Sequence, residues 1–120
     1  MPIVSENVSA SRNTDAEYIA KTIWGEARGC SPTEQAKVVW CILNRVDDGR
    51  FGNNIIEVIT APNQFIGYSP SHPVTDEHYQ IAVDTIDKWQ REKAGEEIVR
   101  ELAKDKLYFS SDGKGNNIFR

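Results

Sequence analysis

The chain has 120 residues, 39% of them hydrophobic and 27% charged, and carries a formal net charge of −4 at pH 7. That length makes one domain with a thin core, of ordinary composition for a soluble globular protein. The acidic balance offers no basic stripe to neutralise phosphates, which argues against a nucleic-acid partner, and no apolar run reaches the length of a membrane span.

Residues 1–13 are mostly polar, with Ile3-Val4 their one apolar pair. They lack the basic start and apolar run of a classical signal peptide. The expectation is a chain made in the cytoplasm, with a flexible segment over 1–13 and a monomeric domain over 14–120. The first predicted helix opens at Thr14, with Glu17 completing a capping box. It runs to about Ala27, and Gly29 ends it. Ala16, Ile19, Ala20, Ile23 and Ala27 form its apolar stripe. At about 100° per residue, Glu26 falls roughly 20° from Ile19, at the edge of that stripe. A carboxylate kept partly out of water resists ionisation, which suits a general acid. A glutamate near a helix end serves equally well to bond Arg28 or a backbone amide.

The second predicted helix has Ser31 as cap, Pro32 at its first position and Glu34 at the third. Ala36, Val39, Trp40, Leu43 and Val46 make one face, and Val38, Cys41 and Ile42 spread the apolar surface round it. A helix apolar nearly all round is the central one. Asp47-Asp48-Gly49 stops it. Cys30 and Cys41 are separated by about 15 Å of helix, beyond the roughly 7 Å that a disulfide spans, so both are expected as thiols, Cys41 in the core.

A short helix is predicted over 54–60, then a long loop to Pro73 carrying Asn63, Gln64, Phe65, Tyr68 and His72. The next helix starts at a Thr75 cap with Asp76-Glu77 in its first turn and fades before Gly95. Its face is Tyr79, Ala82, Val83, Ile86 and Trp89. Residues 96–104 read as a short helix or a charged connection. Leu107 to Ser111 and Asn117 to Phe119 read as two strands about an Asp112-Gly113-Lys114-Gly115 turn. Arg120 closes the sequence inside the second strand, which leaves a continuation open. The class is α+β, mostly α, with a C-terminal hairpin.

No metal site is expected. His72 and His78 do not share the spacing of a helical His pair, and no cysteine pair has zinc spacing. His72 reads as a loop residue and His78 as a first-turn surface residue. No glycine-rich phosphate loop or Gly-x-Ser-x-Gly elbow is present. Phe65 and Tyr68 in a polar loop, with Asn63 and Gln64 beside them, suit the apolar faces and hydroxyl edges of sugar rings; Phe65 equally reads as an anchor to the core. Tyr108 and Phe109 are neighbours on a strand, so one faces the core and the other faces out.

Ile19-Ala20-Lys21-Thr22-Ile23-Trp24-Gly25-Glu26-Ala27-Arg28-Gly29 resembles the opening motif of the SleB/CwlJ cell-wall hydrolases, which include spore cortex-lytic enzymes and phage or prophage lysins. The resemblance continues through Val38 to Val46 with Leu43-Asn44-Arg45-Val46, then Arg50-Phe51, Ile55 to Ile59, Pro62-Asn63-Gln64-Phe65 and Leu107-Tyr108-Phe109. Cys30 departs from the family, where an acidic or small residue is common. The resemblance implies a small lysozyme-like domain acting on peptidoglycan at the wall or spore cortex, without cofactor. It places the family's catalytic glutamate on Glu26, gives Asn44 and Arg45 a structural role, and makes Gln64, Phe65, Tyr68, Tyr108 and Ser110 candidates to line a glycan groove. Glu26 has no evident carboxylate partner in the sequence, since Asp47, Asp48, Asp76 and Glu77 all sit at helix ends. A lone acid/base points to a lytic transglycosylase, with a hydrolytic muramidase next. A non-catalytic glycan-binding or phage structural module is the reading from another class. The scarcity of histidine argues against a zinc amidase.

Overall fold

The computed structural model describes residues 13–62, 64–114 and 116–120. The expected N-terminal segment, apart from Asn13, lies outside these residues, as do Asn63 and Gly115 of the expected hairpin turn. Four helices precede one hairpin: α1 (Thr14–Ala27), α2 (Pro32–Asp48), α3 (Ile55–Thr60), α4 (Asp76–Lys93), β1 (Phe109–Ser111) and β2 (Asn117–Phe119).

Local chemistry sets the helix ends. Ser31, Asn54 and Thr75 each accept a hydrogen bond from the backbone N–H three residues on, and Gly49 closes α2 with a left-handed φ of 85°. At α1 the cap is Asn13, not Thr14: Asn13 Oδ1 accepts from Ala16 N at 3.1 Å, and Thr14 becomes the first helical residue. Asparagine caps as well as threonine does, so two adjacent candidates competed. The expected box at α2 is half closed. Ser31 Oγ takes the Glu34 N–H, but the Glu34 carboxylate turns to Asn117 N at 3.0 Å and to Lys37. Burial pushes the Glu34 pKa up, yet those two partners outweigh it and hold it below its ordinary value. The start of α2 is thereby tied to the hairpin.

Helix α2 runs through the centre, with Val38 to Leu43 fully buried. Helices α1, α3 and α4 pack around it. Cys30 and Cys41 are free thiols, and burial pushes Cys41 up to about 11. Trp40 buries its ring and donates Nε1–H to Glu101 at 2.8 Å. The hairpin pairs Phe109 with Phe119, Ser110 with Ile118 and Ser111 with Asn117. Two further bonds between the backbones of Tyr108 and Arg120 continue it at 2.9 Å. Phe109 faces inward onto Phe65 and Phe119, and Tyr108 faces out.

Residues 96–106 form a connection without a helix. Asn44 holds it: Nδ2 donates to Ala103 O and Lys106 O at 3.0 and 2.9 Å, and Oδ1 accepts from Arg100 at 3.0 Å. Next to it, Arg45 donates to Leu107 O at 2.7 Å and to Gln64 Oε1 at 3.0 Å. Its guanidinium lies within 4.6–5.3 Å of the ring centres of Phe65, Phe51 and Tyr108. One buried side chain thus joins α2 to both the loop after α3 and the hairpin. His78 is not the surface residue expected. It is 6% exposed, against Trp24 and Gln35, because its turn of α4 faces α1 and α2.

The loop after α3 crosses α1 at two glycines. A Cβ built on Gly25 would stand 1.7 Å from Gly67 O, so backbone meets backbone. Two outcomes are expected from these contacts. Arg45→Leu deletes two part-buried, charge-assisted hydrogen bonds and should cost about 2–4 kcal/mol in urea unfolding; a loss below about 1 kcal/mol contradicts the linking role. Gly25→Ala should destabilise by roughly 1–3 kcal/mol in the same measurement, although helix propensity alone favours alanine by about 1 kcal/mol, so a stabilised variant contradicts the contact.

Candidate active site

Glu26 lies on the last turn of α1, half-buried. Its position follows from the stripe that buries Ile19 and Ile23 two turns and one turn earlier. Its Oε2 accepts from the Gly67 backbone N–H at 3.0 Å. Arg28 does not take that place. It folds back to donate to Trp24 O at 2.9 Å, with its guanidinium over the Trp24 ring at 5.1 Å. Of the two plain structural partners considered for Glu26, the backbone amide is the one realised.

A shallow groove follows the chain from Trp24 to Cys30, with Glu26 on its wall. Behind it sits a buried polar cluster. Gln35 Nε2 donates to Ala27 O at 3.0 Å and lies 3.4 Å from His78 Nε2. The Trp24 and His78 rings meet edge to face at 6.3 Å. Burial pushes the His78 pKa down, favouring the neutral ring. This cluster supports the end of α1 from below, and Trp24 passes that support to the groove.

The loop after α3 lies against α1. Phe65 is 4% exposed and fixes one end, and Tyr68 N–H donates to Phe65 O at 3.0 Å to close a turn. The Tyr68 ring stacks on Tyr18 of α1, centres 5.5 Å apart and nearly parallel. Burial, then the Tyr18 neighbour, pushes the Tyr68 hydroxyl pKa up. Further on, Lys21 Nζ donates to Pro70 O at 2.9 Å, and His72 Nδ1 lies 3.2 Å from Lys21 O. The loop is therefore bound along α1 from Gly67 to His72.

The residues singled out from the sequence divide into groups. Glu26 and Tyr68 flank Gly67. Gln64 and Phe65 are drawn to Arg45, so the Gln64 carbonyl oxygen is engaged and Phe65 serves as an anchor. Tyr108 is 43% exposed, and its ring and that of Phe51 meet edge to face. Ser110 is exposed on β1, opposite Ile118. Ile66 and Gly67 belong to no motif in the sequence. Ile66 is 88% exposed between the anchored Phe65 and the pinned Gly67, and an apolar side chain held out between two fixed neighbours was its only mark. The acids at the end of α2 are occupied elsewhere: Asp47 by Lys93 and Trp89, Asp48 by Arg50. Among the described residues no group of three His, Cys, Asp or Glu side chains is placed to hold a metal ion.

No curated protein and no solved structure matches the chain. The model of a family described as Cell Wall Hydrolase matches residues 29–118. The matched span takes in Arg45, the loop and the hairpin, and begins just after Glu26. With three quarters of its length matched, the chain belongs to the SleB/CwlJ-type cell wall hydrolase family.

Proposed function

We propose that this protein cleaves peptidoglycan glycan strands between N-acetylmuramic acid and N-acetylglucosamine, with Glu26 as the acid and base. The observation that carries the proposal is Glu26 itself: a half-buried carboxylate on a groove wall, with one oxygen oriented by a backbone N–H. Membership of the cell wall hydrolase family supports the substrate class. Exposed Ile66, Tyr108 and Ser110 and half-buried Tyr68 are the surfaces proposed to meet the glycan.

In the mechanism Glu26 protonates the glycosidic oxygen as the bond to the muramic anomeric carbon breaks. Hydrolysis normally uses a second carboxylate, about 5–5.5 Å away for retention or 6.5–9.5 Å for inversion. Of the four acids named from the sequence, Asp47 and Asp48 are held by Lys93, Trp89 and Arg50, and Asp76 and Glu77 lie in the first turn of α4. A lytic transglycosylase needs one group only. After acting as acid, Glu26 takes the proton of the muramic C6 hydroxyl, which attacks the same carbon and gives a 1,6-anhydro product. That single-carboxylate route fits the site best.

The test is mass spectrometry of soluble products from purified peptidoglycan digested by this protein and by Glu26→Gln. Glutamine keeps an acceptor for the Gly67 N–H and loses the proton donor. Expected are products lighter by one water than hydrolysed muropeptides, falling at least ~100-fold in the variant, whose unfolding is unchanged. Products with a reducing-end muramic acid would convert the reaction to hydrolysis. Full activity in Glu26→Gln would sink the assignment, and no products from a folded wild-type protein would leave a glycan-binding module.

A further inference from the structure

The two carboxylate oxygens of Glu26 stand in different surroundings. Oε2 accepts from the Gly67 N–H at 3.0 Å, and that donor is held from three sides. Gly67 presses on Gly25 with no room for a side chain, since a Cβ on Gly67 would stand 2.8 Å from both Glu26 Cδ and Gly25 C. Phe65 is buried two residues before it, and Tyr68 stacks on Tyr18 one residue after it. The N–H therefore keeps its aim on Oε2.

We infer that the Gly67 backbone amide is a positioning group that makes Oε1 the oxygen that gives up and recovers the proton. The inference rests on the reading of Glu26 as the acid and base. In a neutral carboxyl group the carbonyl oxygen is the stronger acceptor and the hydroxyl oxygen carries the hydrogen. A proton on Oε2 would leave the Gly67 N–H only the hydroxyl oxygen, the poorer acceptor; a proton on Oε1 keeps Oε2 as the carbonyl oxygen, the better one. Once the proton has left, the carboxylate keeps the same bond, now charge-assisted.

The two halves of the reaction then use one oxygen. The Oε1–H bond breaks, the proton passes to the glycosidic oxygen, and that oxygen takes the electron pair of its bond to the anomeric carbon. The incoming hydroxyl oxygen bonds to that carbon, and its proton goes to Oε1. Oε2 stays on Gly67 throughout, so the side chain has no rotation to make between the halves. Gly67 touches no reacting atom and acts only through Glu26.

The direct test replaces the amide at position 67 by an ester, with glycolic acid in place of Gly67. That deletes the N–H and adds no Cβ. The full-length ester protein, the wild type and Glu26→Gln are compared for kcat, KM and unfolding midpoint on purified glycan strands. The expected result is a kcat roughly 10- to 100-fold lower with KM within about twofold, the mark of a misplaced catalytic group in a folded protein. A kcat within about twofold of wild type, with Glu26→Gln inactive, overturns the positioning role and leaves the acid/base reading standing. A kcat loss matched by an equal loss of folded protein also overturns it, because a purely structural bond would do that. Full activity in Glu26→Gln overturns the acid/base reading, and the positioning role falls with it.

Discussion

The direct contact between the backbones of Gly25 and Gly67 is the constraint on which the site depends. A helix and a loop come this close only where neither carries a Cβ, and the 1.7 Å that an alanine at 25 would leave to Gly67 O shows how little room there is. The arrangement has a cost. Glycine within a helix is worse than alanine by about 0.5–1 kcal/mol. What it gives is reach: Gly67, 41 residues away in the chain, arrives within 3.0 Å of Glu26. The α1 surface from Tyr18 to Glu26 then has a fixed ceiling, made by the Tyr68 stack, the Lys21–Pro70 bond and the Gly67 amide.

That ceiling must itself be anchored, and Asn44 and Arg45 do so from the central helix. A guanidinium keeps its charge at every ordinary pH and is the least costly cation to desolvate against aromatic faces. Arg45 lies among Phe51, Phe65 and Tyr108 and spends its N–H groups on Leu107 O and Gln64 Oε1. Lysine has neither the planar fork nor the length to serve both acceptors. The loop and the hairpin are thus located by one side chain, and Asn44 locates the connection between α4 and the hairpin in the same way. The family match over residues 29–118 covers this anchoring machinery, and Glu26 stands just ahead of it on the helix that the loop is anchored against.

Much of the fold was legible because it is written in local chemistry. Ser31-Pro32, Asn54, Thr75 and Gly49 mark helix ends by groups that bond their own neighbours, and the apolar run of α2 marks a helix buried on all sides. What was missed is non-local. Residues 96–106 are ordered by Asn44 and by the Arg100–Glu92 and Lys88–Glu101 pairs, none of which a local propensity reports. His78 shares a buried face of α4 with Ala82 and Thr85, and the spacing of four and three residues held that signal; its place in the first turn suggested solvent instead. At the site, the edge position of Glu26 came from helical periodicity. Gly67 appeared only as a glycine in a loop, because its meaning depends on which helix lies beneath it. Gln64 is a groove candidate in the sequence, and only the fold shows Arg45 holding it.

The central claim is that the groove beside Glu26 receives the glycan with its scissile bond at that carboxyl group. The measurement that tests it most directly is a crystal structure of the Glu26→Gln protein with a bound peptidoglycan tetrasaccharide. The account predicts the bridging oxygen within about 3 Å of the residue 26 side chain, with the Gly25–Gly67 contact intact and the sugar against the loop turn that carries Ile66. A glycan seated instead in the cleft between α2 and α4, against Pro32, Thr85 and Lys88, with its bridging oxygen beyond reach of residue 26, would contradict it.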